Sequence, residues 1–336
     1  MDINKLIKEY KILEKRNVIG YSNKIRFKIV NGKVTDIPCI RIYVSKKVPI
    51  TSLRQEDIIP SHLGDIHTDV VEIGTITAPP NNLTPILTSK TKKFRPVKLG
   101  VSIGHWDITA GSLGMLYSLG KDILAGSNAH VLTPDPSLYP EEIKEKRILQ
   151  PGAYHGGQDP ENVVGLYYYH KRITPLGESN CKIAKGVVWL LNKIAKTFHR
   201  KGRFKYEVIE PNHIDFAVYS ITVPHELEVA DGSLSDEPFI GHLFAGSSRV
   251  GVICKVKYII KEGFYPLIRP TEVKEGDTVK GCSFWCNYTT KVTDGSASVN
   301  VSYGDYIAHF EDVILVANEN VIRGGWSGSG FRKIEG

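Results

Sequence analysis

Short apolar runs separated by glycines fill the sequence from Val101 onward. The runs are rich in β-branched and aromatic residues and occupy residues 115–119, 123–125, 163–169, 214–221, 250–260, 297–301 and 313–316. Short strands at this spacing are typical of antiparallel barrels or of a sandwich. With 336 residues, 41% of them hydrophobic, the chain is long enough for two or three domains with buried cores.

The N-terminal part follows a different pattern. Residues 4–16 repeat apolar side chains at helical spacing among charges, which predicts an amphipathic helix. Residues 24–30 and 40–44 alternate apolar and polar side chains around an Asn-Gly turn, which predicts a β-hairpin, and residues 70–73 add a further strand. We therefore expect a small α+β domain at residues 1–77.

Turn-forming residues without a period make residues 78–98 a predicted linker. Beyond it we expect a first β-barrel at residues 99–225 and a second at residues 226–336. Residues 181–201 carry an apolar stripe among lysines, which predicts one inserted amphipathic helix that packs on its own domain. A basic helix of this kind also suits an anionic membrane surface, which is the rarer outcome.

Composition and cysteine usage limit where the protein is expected to act. No apolar run approaches the ~20 residues needed to cross a membrane, and residues 1–16 are polar, unlike a signal peptide. Five scattered cysteines fit a reducing compartment, so we expect a cytoplasmic protein without membrane spans. Only Cys282 and Cys286 suggest a metal, and they lack a second pair at zinc-finger spacing, so we expect none.

The charge pattern argues for solubility rather than for an acidic partner. The net charge is +7, but 43 basic residues are interleaved with 36 acidic ones. Basic linkers are usually only solvated, so we do not expect nucleic-acid binding. The residues that would carry it are Lys90, Lys92, Lys93, Arg95 and Lys98.

Two short segments supply an acid–base pair. His130 follows a β-run in the segment SNAHVL, and an imidazole that titrates near neutrality takes a proton from a hydroxyl and returns it. Asp215 lies in the segment HIDFAV, where a buried carboxylate needs hydrogen bonds or a cation, and a catalytic histidine offers both. Taken singly, the first is more often a core histidine and the second a surface aspartate or a cap.

Glycines surround Ser327 in the segment GGWSGSG, residues 324–330. They let the backbone approach a substrate carbonyl closely, and the N–H groups of Gly325 and Ser327 would then form an oxyanion hole. A flexible Gly/Ser tail is the alternative interpretation, because the sequence ends nine residues after Ser327.

The order His130, Asp215, Ser327 in a glycine-punctuated, β-rich chain resembles the trypsin/chymotrypsin-like serine proteases. The motifs NAHVL, DFAV and GWSGS stand where that family has its histidine, aspartate and nucleophile motifs. Longer segments are similar to the intracellular branch related to the plant narrow-leaf protein, and this resemblance covers nearly the whole chain. They include KDILAGSNAHVL, ILQPGAYHGG, CKIAKGVVWLLNKIA and TDVVEIG.

The resemblance implies a mainly β fold, with two antiparallel β-barrels of trypsin-like type, one inserted helix and an α+β N-terminal domain. It also implies residue roles in a cleft between the barrels. His130 would be the general base, Asp215 the residue that orients it and Ser327 the nucleophile.

The chain departs from the family pattern near the cleft. Trp326 stands where the family has an aspartate, and residues 281–291 lose most of a Gly-Arg-Thr-Thr-Gly-like pattern. We expect the substrate pocket to include Val321, Ile322 and Trp326, and therefore a small or apolar residue before the scissile bond. Family members add strands after the serine. Residues 240–260 resemble those strands, so we expect this earlier segment to close the second barrel, which otherwise stays incomplete.

The sequence therefore predicts a serine endopeptidase that hydrolyses protein or peptide bonds through an acyl-enzyme, without metal or organic cofactor. The alternative from another class is a catalytically inactive pseudo-peptidase that acts as a binding or assembly module. The expected partner is a protein or peptide substrate, and a homo-oligomer is left open. A further hypothesis makes the N-terminal domain an inhibitory segment that docks beside the cleft.

Overall fold

Antiparallel β-strands dominate the fold. The computed structural model describes residues 2–30, 33–78, 88–108, 110–177, 193, 211–231 and 236–334. Within them the α-helices are α1 (Ile3–Glu9), α2 (Ala129–Leu132) and α3 (Val256–Lys261), and 3-10 turns occupy Ile12–Glu14, Ile50–Ser52, Gln55–Asp57, Ser89–Thr91, Pro140–Glu142 and Ala153–His155. The predicted helix at residues 181–201 lies, except for residue 193, outside the described residues.

The described strands, in chain order, begin with those of the N-terminal unit. The N-terminal strands are β1 (Val18–Ser22), β2 (Arg26–Val30), β3 (Lys33–Val44), β4 (His62–Leu63) and β5 (Ile66–Glu72). The next are β6 (Val97–Leu99), β7 (Ser102–His105), β8 (Gly111–Ser112), β9 (Met115–Leu119), β10 (Asp122–Ser127), β11 (Arg147–Leu149), β12 (Val163–His170), β13 (Ala217–Ile221) and β14 (His225–Val229). The last are β15 (Phe239–Gly246), β16 (Val250–Lys255), β17 (Tyr265–Pro266), β18 (Thr278–Cys282), β19 (Asn287–Ser302), β20 (Ile307–Ala317) and β21 (Gly330–Lys333).

The N-terminal unit packs α1 on a small mixed sheet. The helix ends at Glu9, earlier than the predicted residue 16, and Lys11 then takes a left-handed conformation with φ of 50° before a separate 3-10 turn. Strands β2 and β3 form the predicted hairpin, while β3 and β5 pair in parallel. The apolar side of the helix meets the sheet in one core, which contains Ile7, Ile12, Val18, Tyr21, Ile40, Ile42, Val44 and Leu63.

The first barrel sheet curls back on itself. Its strand order is β17-β9-β10-β13-β12-β11-β7-β8. Strand β8 lies at one end of this order, and β9, next to the other end, begins only three residues after β8 ends. The chain between them therefore brings the β8 end of the sheet close to β9, so that the sheet curls into a half-barrel.

The second barrel sheet closes into a ring of six antiparallel strands. The ring runs β18-β21-β15-β16-β20-β19, and β19 pairs again with β18. Strand β21, which follows Ser327, lies between β15 and β18. The strands of residues 240–260 thus belong to the same ring as the strand after the serine, as the closure hypothesis requires. Strand β19 also pairs with β1 at residues 297–299, and this pairing joins the N-terminal sheet to the barrel.

The prediction of a strand for the apolar run at residues 250–260 is correct only for its first half. Strand β16 ends at Lys255, and α3 follows directly. Val256 and Ile259, three positions apart, turn to one side of this helix and are buried in the core. Burial at helical spacing therefore overrides the β-propensity of the run.

Part of the predicted solvated linker is folded. Strand β6 pairs in parallel with β14. Lys90 is buried, and its ammonium group donates to the Ser283 carbonyl and to Asn287 and lies 3.2 Å from Asp231. This lysine is therefore a buried structural cation rather than a solvated one.

A buried histidine makes the fold sensitive to acid. The ring of His242 on β15 donates through Nδ1 to the Gly328 carbonyl and accepts at Nε2 from Tyr117, and burial lowers the pKa of His242 from 6.5 to about 4. Between pH 6.5 and 4 the unfolded chain binds a proton that the folded chain does not. The free energy of unfolding therefore falls with pH in this window, by about 3 kcal/mol from this residue alone.

We expect urea unfolding at pH 7 and pH 4.5 to show this loss, and the His242→Gln variant to lose less stability over the same interval. Glutamine keeps a donor and an acceptor but does not titrate. Equal pH dependence in the two proteins would contradict the assignment.

Candidate active site

The pairing of β10 and β13 brings Asp215 and His130 together. In this antiparallel pair Ser127 lies opposite Ala217, so His130, three residues after Ser127, faces Asp215, two residues before Ala217. The Asp215 Oδ2 atom lies 2.5 Å from Nδ1 of His130. The predicted acid–base pair is therefore a direct hydrogen bond in the structure.

Several donors surround the carboxylate of Asp215, which has no solvent exposure. Its Oδ1 accepts the N–H of Ala129 at 2.6 Å and that of His130 at 3.4 Å, both in the first turn of α2. The amide of Asn128, at the N-cap of α2, donates to the Asp215 carbonyl at 2.7 Å. The two N–H donors meet the buried carboxylate itself, and the Asn128 bond holds its backbone in place.

Tyr303 adds a donor that the sequence analysis missed. It lies in the turn between β19 and β20 of the second barrel, and its hydroxyl donates to Asp215 Oδ2 at 2.7 Å. Burial and the nearby Asp215 charge raise the pKa of Tyr303 well above its usual value, so the phenol stays protonated. Its ring also packs edge-on against His130, with 6.0 Å between ring centroids. One side chain of the second barrel therefore orients both members of the pair in the first.

Two consecutive turns hold Ser327. The N–H of Trp326 donates to the Arg323 carbonyl, and the N–H of Ser329 donates to the Trp326 carbonyl. Gly325 and Gly328, the third residues of these turns, have φ of 87° and 84°, which glycine adopts without strain. The segment is therefore an ordered loop rather than a flexible tail.

Ser112 of the first barrel fastens this loop. Its N–H donates to the Ser327 carbonyl at 2.7 Å, and its hydroxyl donates to the Gly325 carbonyl at 3.1 Å. The same hydroxyl oxygen accepts the N–H of Phe284. The loop that carries Ser327 is thus held against the barrel that carries His130.

His130 and Ser327 line one cavity of about 550 Å³ between the two barrels. His130 Nε2 and Ser327 Oγ are both buried and have no hydrogen-bond partner among the described residues. Asp215 touches the other nitrogen of the imidazole, so Nε2 is the atom left for a reacting proton. Other side chains that line this cavity are Asp135, Tyr154, His155, Phe284, Trp285 and Tyr303.

A second histidine in the cavity has a different environment. His155 Nδ1 lies 2.7 Å from the hydroxyl of Ser102, and its ring packs edge-on against Phe284. Burial lowers the pKa of His155 to about 4. No carboxylate of the described residues is hydrogen-bonded to it, so His130 is the histidine with the environment of a general base.

The two predicted oxyanion donors are unpaired. Gly325 and Ser327 are buried and line the cavity, and the N–H of neither residue donates to a protein group in the described part of the chain. Buried backbone N–H groups are nearly always hydrogen-bonded, so two unpaired ones beside a serine provide donors for a ligand oxygen.

The three residues predicted to line the substrate pocket lie elsewhere. Trp326 has no solvent exposure and packs in the core of the second barrel against Phe331 and Tyr288. Ile322 and Val321 belong to the same core, and none of the three lines the cavity of Ser327. These residues do not line the pocket because the loop directs the Trp326 indole into the core of the second barrel, away from the cavity. The expectation of a small or apolar residue before the scissile bond therefore loses its basis.

The cysteine pair and the basic residues singled out in the sequence lie in the following environments. Cys282 is buried and Cys286 exposed, and the described residues contain no group of three or more His, Cys, Asp or Glu side chains arranged to hold a metal ion.

Of the basic cluster, Lys98 pairs with Glu228 and Arg95 donates to Gln150. In the part of the chain that the structure describes, no helix has the length and apolar character of a membrane span.

Comparison with known proteins links one part of the chain to a family. No curated protein matches the chain. Residues 7–71 match the family model described as the NARROW LEAF 1 N-terminal domain. This range runs from α1 to β5, so the small α+β unit in front of the barrels is similar to that domain.

Proposed function

We propose that the protein is a serine endopeptidase that cleaves protein or peptide bonds through a Ser327–His130–Asp215 triad. The observation that carries the proposal is the cavity shared by Ser327 Oγ and His130 Nε2, both buried and unpartnered, with Asp215 bonded to the far side of the imidazole. The N-terminal match to the narrow-leaf family and the motifs of the two barrels support a trypsin-like peptidase of the intracellular kind.

Acylation begins when Ser327 Oγ attacks the substrate carbonyl carbon and passes its proton to His130 Nε2. Asp215 stabilises the imidazolium that forms, and its bond to Nδ1 keeps Nε2 free as the accepting atom. The charge on the carbonyl oxygen is met by the N–H groups of Gly325 and Ser327. Collapse of this intermediate breaks the peptide bond, and the leaving amine takes the proton from Nε2.

Deacylation repeats these steps with water. His130 Nε2 removes a proton from a water molecule, which attacks the ester carbonyl on Ser327. The second tetrahedral intermediate uses the same two N–H donors. Its collapse returns the proton to Ser327 Oγ and releases a carboxylic acid product, so the enzyme ends in its starting state.

The first test is covalent labelling by a fluorophosphonate probe. We expect the wild-type protein to be labelled once and the Ser327→Ala variant not at all, since the probe phosphonylates an activated serine hydroxyl. Ser118→Ala, which removes a hydroxyl on β9 outside the cavity, should label like the wild type. A folded wild-type protein that never labels would favour the pseudo-peptidase alternative.

The second test concerns Tyr303 as a positioning residue. Tyr303→Phe removes one hydrogen bond to a charged group, worth ~1.5–3 kcal/mol. We expect kcat for a fluorogenic casein substrate to fall about tenfold with KM unchanged, because the hydroxyl touches Asp215 and not the substrate.

A matched control separates this effect from lost stability. Tyr43→Phe also removes a buried tyrosine hydroxyl from a buried aspartate, Asp294, and neither residue lines the cavity. It should lower stability by a similar amount and leave kcat unchanged. Equal kinetic losses in the two variants would contradict the role of Tyr303.

A further inference from the structure

Trp285 contacts the backbone at the candidate oxyanion hole. Its indole Nε1–H donates to the Gly324 carbonyl at 2.7 Å. The carbonyl of Gly324 and the N–H of Gly325 belong to one peptide unit, and in a trans peptide these groups point in opposite directions. The bond to Trp285 therefore directs the Gly325 N–H away from the indole and leaves it unpaired.

This peptide needs to be held, because it is the central peptide of a tight turn between two glycines. The turn runs from Arg323 to Trp326, and φ of 87° at Gly325 is that of a type II turn. A type I turn differs from it mainly by a half-rotation of this central peptide. Glycines resist such a rotation least, and it would place the Gly324 carbonyl where the Gly325 N–H now lies.

Surrounding contacts fix the indole. The backbone N–H of Trp285 donates to the hydroxyl of Ser283. The guanidinium of Arg323 lies over the indole ring, at 4.5 Å from its centroid. Phe284 stacks on the same indole at 5.6 Å. A Cβ atom on Gly325 would come within 2.6 Å of Nε1, so only glycine permits this approach.

We propose that Trp285 is the positioning residue of the oxyanion hole. Its indole N–H holds the Gly324–Gly325 peptide in the orientation that presents the Gly325 N–H to the developing negative charge. The inference rests on the proposed peptidase function and adds to it a residue outside the triad and outside the nucleophile loop. It also gives a role to the segment at residues 281–291, where the chain departs from the family pattern.

The test is the acylation burst with p-nitrophenyl acetate in the full-length protein. Removing one oxyanion donor typically costs ~10²–10³ in rate, and we expect Trp285→Phe to slow acylation by at least tenfold with little change in the ester concentration that gives half-maximal rate. Phenylboronate, which forms a tetrahedral adduct on the serine, should bind more weakly by a similar factor. Trp106→Phe is the matched control, because this indole N–H has no partner among the described residues and Trp106 lies outside the cavity.

The outcomes separate the two proposals. A wild-type protein that gives no burst overturns the peptidase function itself. A wild-type burst with equal rates in Trp285→Phe and Trp106→Phe overturns the role of Trp285 and leaves the peptidase in place.

If Trp285→Phe does not fold, a crystal structure of the wild-type phenylboronate adduct decides. The inference expects a boronate oxygen within 2.7–3.1 Å of the Gly325 nitrogen, with the Trp285–Gly324 bond kept. A Gly324 carbonyl turned away from Trp285 in that adduct would overturn it.

Discussion

A carboxylate without solvent exposure is stable only where donors surround it, and this constraint organises the centre of the molecule around Asp215. Its donors come from the start of α2 and the imidazole of His130 in the first barrel, and from Tyr303 in the second. Satisfying one buried charge therefore fixes the imidazole and ties the two barrels together. The proposed chemistry uses the same arrangement, since an imidazole braced on one nitrogen is a proton acceptor on the other.

The Ser327 side of the cavity is organised by backbone hydrogen bonds rather than by charge. Strand β15 supplies the Leu243 carbonyl and N–H that bond residues 328 and 329, and Ser112 reaches across from the first barrel to the carbonyls of Ser327 and Gly325. With the loop held from both barrels, the N–H groups facing the cavity need no rearrangement to meet a substrate oxygen. Preorganised donors of this kind contribute most when charge develops in a dry site.

Local patterns and the family resemblance together predicted much of this arrangement. Glycine-separated runs predicted the mainly β architecture. Each of the three motifs was ambiguous alone, and the resemblance singled out His130, Asp215 and Ser327, of which the first and last line one cavity and the second bonds His130. Tyr303 and Trp285 escaped prediction because their partners, Asp215 and Gly324, lie 88 and 39 residues away and no local pattern marks the contact. Burial also explains the features that the sequence analysis predicted wrongly. Lys90 is buried against the second barrel, α3 interrupts a β-prone run, and Trp326 turns into the core although it adjoins the serine.

The central claim is that Ser327 forms an ester with the substrate during turnover. The most direct measurement is mass spectrometry of the protein quenched within the burst of p-nitrophenyl acetate hydrolysis, followed by peptide mapping. The account predicts one acetyl group on the peptide that contains Ser327, and much slower formation of that adduct in Asp215→Asn, where the imidazole loses its charged partner. An adduct on another residue, or hydrolysis that proceeds unchanged in Ser327→Ala, would contradict it.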